Sequence, residues 1–250
     1  MKAMIFSAGL GTRLRPLTND RPKALVEVSG RSLLEWNILR LRAAGYTEIV
    51  VNVHHFGDRV IDFIESLALE GVRFYVSDER SELLDTGGGL WQAREFLAEG
   101  EDFLLCNADI LTDLDLSKLR EQHLAQGGLA TLSVRQRQTS RYLLFDKDRK
   151  LCGWQNINTA ELKMAREQSE WQPWAFSGHH YISPRIFPLI AERGVFSIID
   201  LYLRLAQRHD IYAFPDQEAH WLDVGKPERL ALAGELLTKM EWSRRMQESE

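Results

Sequence analysis

The chain has 250 residues, 44% of them hydrophobic and 27% charged, with a formal net charge of -5. These values are close to those of an average soluble globular domain and make disorder and fibrous repeats poor readings. The acidic balance weighs against a nucleic-acid partner, which calls for a basic patch. One continuous α/β domain over residues 1–250 accommodates this length, with roughly 70–75% of the unfolded surface buried. Cys106 and Cys152 are too few and too far apart for a zinc site or a disulfide framework. The N-terminus lacks the apolar core of a signal peptide, and no stretch approaches the ~18 apolar residues of a membrane span. A cytoplasmic protein without membrane contact is expected.

Short apolar runs alternate with segments of helical period, the pattern of βα units around a largely parallel sheet. Met4 to Ser7 opens as a buried strand. Ser32 to Ala44 reads as a helix with Leu34, Ile38 and Leu41 on one face, Ser32 and Glu35 spaced as a capping box, and Gly45 as its stop. A buried strand follows at Glu48 to Val53, then a helix at Asp58 to Leu67, a strand at Val72 to Val76 and a helix at Gly88 to Leu97. Phe103 to Cys106 is a strand carrying polar Asn107 and Asp109 at its carboxyl end, where open α/β sheets bind ligands.

After about residue 128 the pattern changes to strands at Leu129 to Arg135, Tyr142 to Phe145 and Ala175 to Ile182, with a hairpin turn at Asp146 to Lys150. Asn158 to Gln172 is a polar stretch read as a flap. Helical period returns at Ser197 to Arg208 and from Pro227 to about Arg245. Two functional lobes, 1–128 and 129–250, are expected within the one domain.

The most informative segment is Ala8-Gly9-Leu10-Gly11-Thr12-Arg13-Leu14-Arg15-Pro16, directly after the first strand. A dinucleotide fingerprint requires a third glycine where Leu14 stands, and a Walker loop requires Gly-Lys-Ser/Thr, which is absent. What remains is a glycine turn whose bare backbone can approach a phosphate chain, followed by Arg13 and Lys23. Arginine suits bidentate contact with phosphate oxygens, and lysine supplies a compact point charge.

The full string Gly9-x-Gly11-Thr12-Arg13-x-x-Pro16-x-Thr18, then Pro22-Lys23-x-Leu25-x-x-Val28, resembles the signature of the sugar-1-phosphate nucleotidylyltransferases. Downstream, Asp85-Thr86-Gly87-Gly88-Gly89 looks like that family's base-recognition turn and Asn107-Ala108-Asp109 like its metal-binding strand end. Phe176-Ser177-Gly178 is similar to its sugar-binding strand, and Trp221 to Leu230 to its second metal-binding segment. The order of the pieces matches over nearly the whole chain.

The resemblance implies an α/β, Rossmann-like (GT-A-like) fold with a mixed, mainly parallel sheet flanked by helices, a nucleotide lobe followed by a sugar-phosphate lobe, and transfer of a nucleoside monophosphate from a nucleoside triphosphate to a sugar 1-phosphate. It implies that the backbone of Ala8, Gly9, Gly11 and Thr12 cradles the triphosphate. Arg13 would meet the β- and γ-phosphates, and Lys23 the α-phosphate and the incoming sugar phosphate. Thr86 and Gly87 would meet the base, and Asn107, Ser177 and Gly178 the sugar. Asp109 and Asp223, 114 positions apart, would hold Mg²⁺; a metal-free reading makes them a strand-end cap and a helix cap.

The compact length and the Thr-Gly-Gly-Gly string point to the family's short branch. Its first expected substrate pair is UTP with N-acetylmuramic acid 1-phosphate, and its second GTP with mannose or heptose 1-phosphate. A non-catalytic homologue that binds nucleotide sugar is the competing class. The retention of Arg13, Lys23, Asp109 and Asp223 counts against it.

One departure stands out. Many members carry a second lysine toward the sugar phosphate, but the comparable stretch here is Leu151-Cys152-Gly153-Trp154-Gln155-Asn156. Lys163 and Arg141 are the nearby cations. The pairs His54-His55 and His179-His180 read as structural, because adjacent strand residues face opposite ways. Trp154, Trp171 and Trp174 read as packing residues and Cys106 as a core residue without a basic neighbour. The Lys239 to Arg245 tail reads as an exposed helix end or an oligomer contact in a monomer or homodimer.

Overall fold

The computed structural model describes residues 1–242. In chain order the elements are β1 (Lys2–Phe6), β2 (Glu27–Val28), β3 (Arg31–Ser32), α1 (Leu33–Ala43), β4 (Glu48–Val53), α2 (Gly57–Ser66), β5 (Arg73–Asp78), α3 (Asp85–Gln92), α4 (Arg94–Leu97), β6 (Phe103–Asn107), β7 (Ile110–Thr112) and α5 (Leu116–Gln126). There follow β8 (Ala130–Arg135), β9 (Arg141–Phe145), β10 (Leu151–Asn156), β11 (Glu161–Met164), β12 (Gln172–Ile182), α6 (Ile198–Ala206), β13 (Ile211–Pro215), β14 (Trp221–Asp223) and α7 (Pro227–Lys239).

The chain divides into two compact units, and the division departs from the expected boundary at residue 128. The first comprises Met1–Leu83, Leu105–Leu114 and the segment from Ala219 onward; the second comprises Leu84–Leu104 and Asp115–Glu218. The C-terminal helix α7 therefore belongs with the glycine loop rather than with the strands after residue 128.

In the first unit the order is β6-β1-β4-β5, with β1, β4 and β5 parallel and Met4 opposite Val50, Val50 opposite Tyr75. Val and Ile runs suit such strands because both faces are covered. Ser32 caps α1 as its spacing predicts, its Oγ accepting from Glu35 N at 3.0 Å. The Glu35 carboxylate meets Arg31 instead of turning back to the cap, so only half of the capping box forms.

Burial on α1 extends well beyond the predicted stripe and takes in Asn37 and Arg40. Buried polar groups need partners. Asn37 Nδ2 donates to Ala108 O at 3.0 Å and Arg40 Nη2 to Leu114 O at 2.7 Å, so the helix grips both ends of the segment around β7. A cluster of Leu14, Val26, Trp36, Leu111, Leu222 and Leu237 locks α7 over the same segment. The expected exposed helix end is corrected at two positions, while Lys239 and Glu241 are exposed. Met240 is fully buried, and Trp242 meets Trp36 edge-on with centroids 5.9 Å apart. The predicted extension of this helix to Arg245 lies outside the described residues.

In the second unit β11-β10-β9-β12 pair antiparallel, β12 pairs antiparallel with β8, and β8 parallel with β13. Together the units give the mixed α/β class anticipated, with the Rossmann-like parallel strands in the first. The polar stretch read as a flap contains β11, whose pairing with β10 is carried by backbone groups and needs no apolar alternation. Helix α5, capped by Asp115 accepting from Ser117 N and Lys118 N, has no counterpart among the predicted elements.

Cys106 is a core residue as expected, its thiol pushed up to about 12 by burial; the expected lack of a basic neighbour is corrected, because Arg40 is close enough to pull it partly back. Among the described residues no helix is long and apolar enough to cross a membrane.

His180 is fully buried on β12, its Nδ1 2.9 Å from the Tyr202 hydroxyl, and burial drives its pKa down to about 3. The unfolded chain therefore takes up a proton near pH 6.5 that the folded chain refuses. Stability contributed by neutral His180 is complete above that pH and falls as the pH drops toward 3, by about 1.4 kcal/mol per unit. Urea unfolding between about pH 7 and 4.5 should show a shallower loss in His180→Gln than in the parent; equal slopes would remove His180 as a cause.

Candidate functional site

The glycine loop leaves the carboxyl end of β1 with its first two residues tied down. Ser7 N and Ala8 N donate to Asn52 Oδ1 at 2.6 and 3.3 Å. The Ala8 amide thus already has a partner, which corrects its expected place in a phosphate cradle. The amides of Gly9, Leu10, Gly11, Thr12 and Arg13 have no hydrogen-bond partner among the described residues. Consecutive free amides of this kind form an anion-binding concavity.

A Cβ at Gly9 would meet nothing within 4 Å, so this part of the loop faces open space. Gly11 is different. Its φ of +64° is left-handed, and a Cβ there would lie 2.9 Å from Lys23 Cβ. Thr18 Oγ1 donates to Gly11 O at 2.8 Å, closing the loop back on itself. Gly11 thereby lets the loop seat directly against Lys23, which opens a short 3-10 turn after Pro22.

Lys23 Nζ is paired with Asp109 Oδ2, both side chains largely shielded. Asp109 follows β6, where Ala108 N donates to Phe6 O at 3.1 Å. Asp223 is brought to it by an antiparallel ladder. Asp223 stands opposite Ile110, and Val224 N donates to Asp109 O at 2.8 Å. The two aspartates that sequence spacing leaves apart are ladder neighbours.

Asp223 Oδ1 is buried and has no hydrogen-bond partner among the described residues. A Cβ at Gly225 would sit 2.6 Å from that oxygen and 3.0 Å from Arg13 Nη2, so the glycine opens the space that both groups border. An orphaned carboxylate oxygen is costly without a cation or donor. One free and one lysine-paired carboxylate fit Mg²⁺, which takes one or two carboxylates plus phosphate oxygens and water. Among the described residues no group of three or more His, Cys, Asp or Glu side chains is arranged to hold a metal. Asn107, at the end of β6, is half-buried.

The remaining expected residues lie in the second unit. Thr86 and Gly87 are not in a loop: they form the first turn of α3, which starts at Asp85 with φ +56°. Gly87 N and Gly88 N donate to Phe196 O at 2.9 and 3.2 Å, and Thr86 Oγ1 accepts from Ile198 N at 3.0 Å. The glycines are required because Cβ atoms would collide with the Phe196 ring and Gly194 O. Ser177 is buried with its hydroxyl 2.7 Å from Ser133 Oγ. Gly178, at φ +89°, sits where the β12–β8 register shifts. Lys163 is held by Asp200 at 3.0 Å and lies 5.3 Å above the Trp154 ring.

The family model for nucleotidyl transferases matches residues 2–240. The chain belongs to the nucleotidyl transferase family. This transferase is 34% identical over 232 residues to the N-acetylmuramate alpha-1-phosphate uridylyltransferase of Caulobacter vibrioides, covering 90% of this chain and 92% of that one. It is 44% identical over 117 residues to the Neisseria meningitidis protein of the same name, covering 47% and 50%. Mannose-1-phosphate guanyltransferase 2 of Candida glabrata is 31% identical over 98% of this chain and 66% of its own length. Among solved structures, HddC from Yersinia pseudotuberculosis superposes with a TM-score of 0.74 at 23% identity, over 94% of this chain and 98% of that one. The inositol-1-phosphate CTP transferase from T. maritima gives 0.75 at 18%, over 96% of each. At those identities the structures speak for the fold.

Asn52, which ties down the start of the glycine loop, escapes sequence reasoning on this nucleotidyl transferase. The available signal is a polar residue inside the run Ile49-Val50-Val51-Asn52-Val53, since a buried polar side chain is the informative exception. Gly11→Ala is expected to strain the left-handed position by about 1–2 kcal/mol and to push Lys23 aside. Thermal unfolding together with nucleotide titration checks this, and unchanged nucleotide affinity would show that the loop does not depend on that contact.

Proposed function

We propose that this transferase moves a nucleoside monophosphate from a nucleoside triphosphate to a sugar 1-phosphate and releases pyrophosphate, with UTP and N-acetylmuramic acid 1-phosphate as the first pair. The observation that supports the chemistry best is the β7–β14 ladder: Asp223, whose Oδ1 has no partner among the described residues, pairs with Ile110, the residue that follows Asp109 of the Asp109–Lys23 pair. The substrate pair is supported by the two uridylyltransferase relatives. GTP with mannose 1-phosphate is the second pair, favoured by the guanyltransferase relative. The muramic acid sugar would connect the product to cell-wall supply, in the cytoplasm where nucleoside triphosphates are available.

The acceptor needs no general base. A phosphate monoester has a second pKa near ~6 and is largely dianionic at neutral pH. Its oxygen forms a bond to the α-phosphorus while the bond from that phosphorus to the bridging oxygen breaks, the electron pair leaving with pyrophosphate. The obstacle is the approach of two polyanions, so catalysis rests on positioning and charge stabilisation. Arg13 and the free amides of Gly9 to Arg13 hold the β- and γ-phosphates. Lys23 leaves Asp109 for the α-phosphate and the incoming phosphate. Asp109 and Asp223 would hold Mg²⁺, which supplies charge neutralisation at the phosphate oxygens. By motif order, Thr86 and Gly87 answer to the base and Asn107, Ser177 and Gly178 to the sugar.

A non-catalytic homologue has no need to keep Lys23, Asp109, Asp223 and Arg13 together. Pyrophosphate release measured with four triphosphates against a panel of sugar 1-phosphates should single out one pair. With that pair, Lys23→Ala, Arg13→Ala and Asp223→Asn are each expected to lose about 100-fold or more in rate. Rates within a fewfold of the parent would overturn the assignment, and no release from any pair with Mg²⁺ present would favour the non-catalytic reading.

A further inference from the structure

We propose that Asn52 is a positioning residue of this site, oriented by Glu79, and that it decides which loop amides are free to meet phosphate. The inference rests on the nucleotide-binding role assigned to the glycine loop above.

Asn52 lies on β4, one residue past Val51, whose pairing with Ile5 ends the β1–β4 register. Its side chain continues the contact where the ladder stops. Oδ1 accepts from Ser7 N at 2.6 Å and Ala8 N at 3.3 Å, and the Ser7 hydroxyl donates to Asn52 O. On the other side Asn52 Nδ2 donates to Glu79 Oε1 at 2.7 Å. Glu79 follows β5 and is held in turn, its N–H donating to Val53 O at 2.8 Å and its carbonyl 2.7 Å from His54 Nδ1.

Asn52 and Glu79 are 3% and 1% exposed, at the carboxyl ends of adjacent parallel strands. Ligands of open α/β sheets bind beyond those ends. A strand of this kind does not itself require an asparagine. The polarity of the chain of hydrogen bonds is set by chemistry: a carboxylate only accepts, so the amide NH₂ must face Glu79, and the carbonyl oxygen must face the loop. The division of the loop follows. The first two amides turn inward to Asn52, and the next five are left without partners among the described residues, on the open side. Were the side chain to flip or lose its acceptor, the Ser7 and Ala8 amides would compete for the anion and the cradle would shift.

The test uses a swapped pair. Asn52→Asp places two carboxylates against each other and is expected to raise the KM for the nucleoside triphosphate at least about tenfold. The KM for the sugar 1-phosphate should stay within about twofold. Adding Glu79→Gln reverses the direction of the hydrogen bond. The new side-chain amide at position 79 can donate to one oxygen of the new carboxylate at position 52, whose other oxygen still accepts from Ser7 and Ala8. The double variant should return the triphosphate KM to within about threefold of the parent. If Asn52→Asp does not fold, the double variant alone is read against the parent by the same criterion.

Failure of the double variant to recover, a parental KM in Asn52→Asp, or equal changes in both KM values would overturn the proposal. A parent that transfers no nucleotide at all would instead overturn the function assigned above.

Discussion

Two three-residue strands, β7 and β14, carry the arrangement on which the rest of the site depends. Their antiparallel pairing sets Asp223 opposite Ile110 and ties Val224 to the carbonyl of Asp109. Strands this short do not stand alone. Asn37 and Arg40 grip the flanks of β7 from the buried face of α1, and Leu222, Leu111 and Leu237 close the apolar layer under α7. Core packing thereby holds the two backbone segments that carry Asp109 and Asp223, because close-packed interiors transmit displacement rather than absorb it.

The electrostatics are local. A chain of net charge -5 collects Arg13 and Lys23 beside five free amides, while the nearby Arg21 is paired with Asp20 at 3.1 Å. Lys23 pairs with Asp109, and Asp223 presents an oxygen with no partner among the described residues. Each carboxylate suits a cation, and each cation suits a phosphate. Such a site gains from binding a metal and a polyphosphate together, since each partner offsets the charge the other brings. The total charge of the protein says little about this, as local field lines are set by the few groups that border the ligand.

Strands β1, β4 and β6 are legible in the sequence because an apolar run of the right length admits few other readings, and the cap of α1 because Ser32 and Glu35 stand at the required spacing. Arg13, Lys23, Asp109 and Asp223 are legible only as members of an ordered motif; nothing in the spacing of the two aspartates announces that β7 and β14 pair. The start of α3 escapes because Gly87 and Gly88 look like turn residues, whereas they are glycines for lack of room against Phe196 and Gly194. β11 escapes because its four residues are all exposed and carry no apolar alternation. Ala8 looks like part of the cradle because the side chain that takes its amide comes from another strand, 44 positions away.

The mechanism requires Asp109 and Asp223 to act as one cation site next to Lys23. A crystal grown with Mn²⁺ and a non-hydrolysable analogue of the preferred triphosphate, studied by anomalous scattering, tests this directly. The predicted result is a single strong peak in contact with both aspartates, the polyphosphate along Gly9 to Arg13, and Lys23 Nζ moved from Asp109 onto phosphate. A peak bound elsewhere, with Lys23 still on Asp109 while the nucleotide is in place, would contradict it.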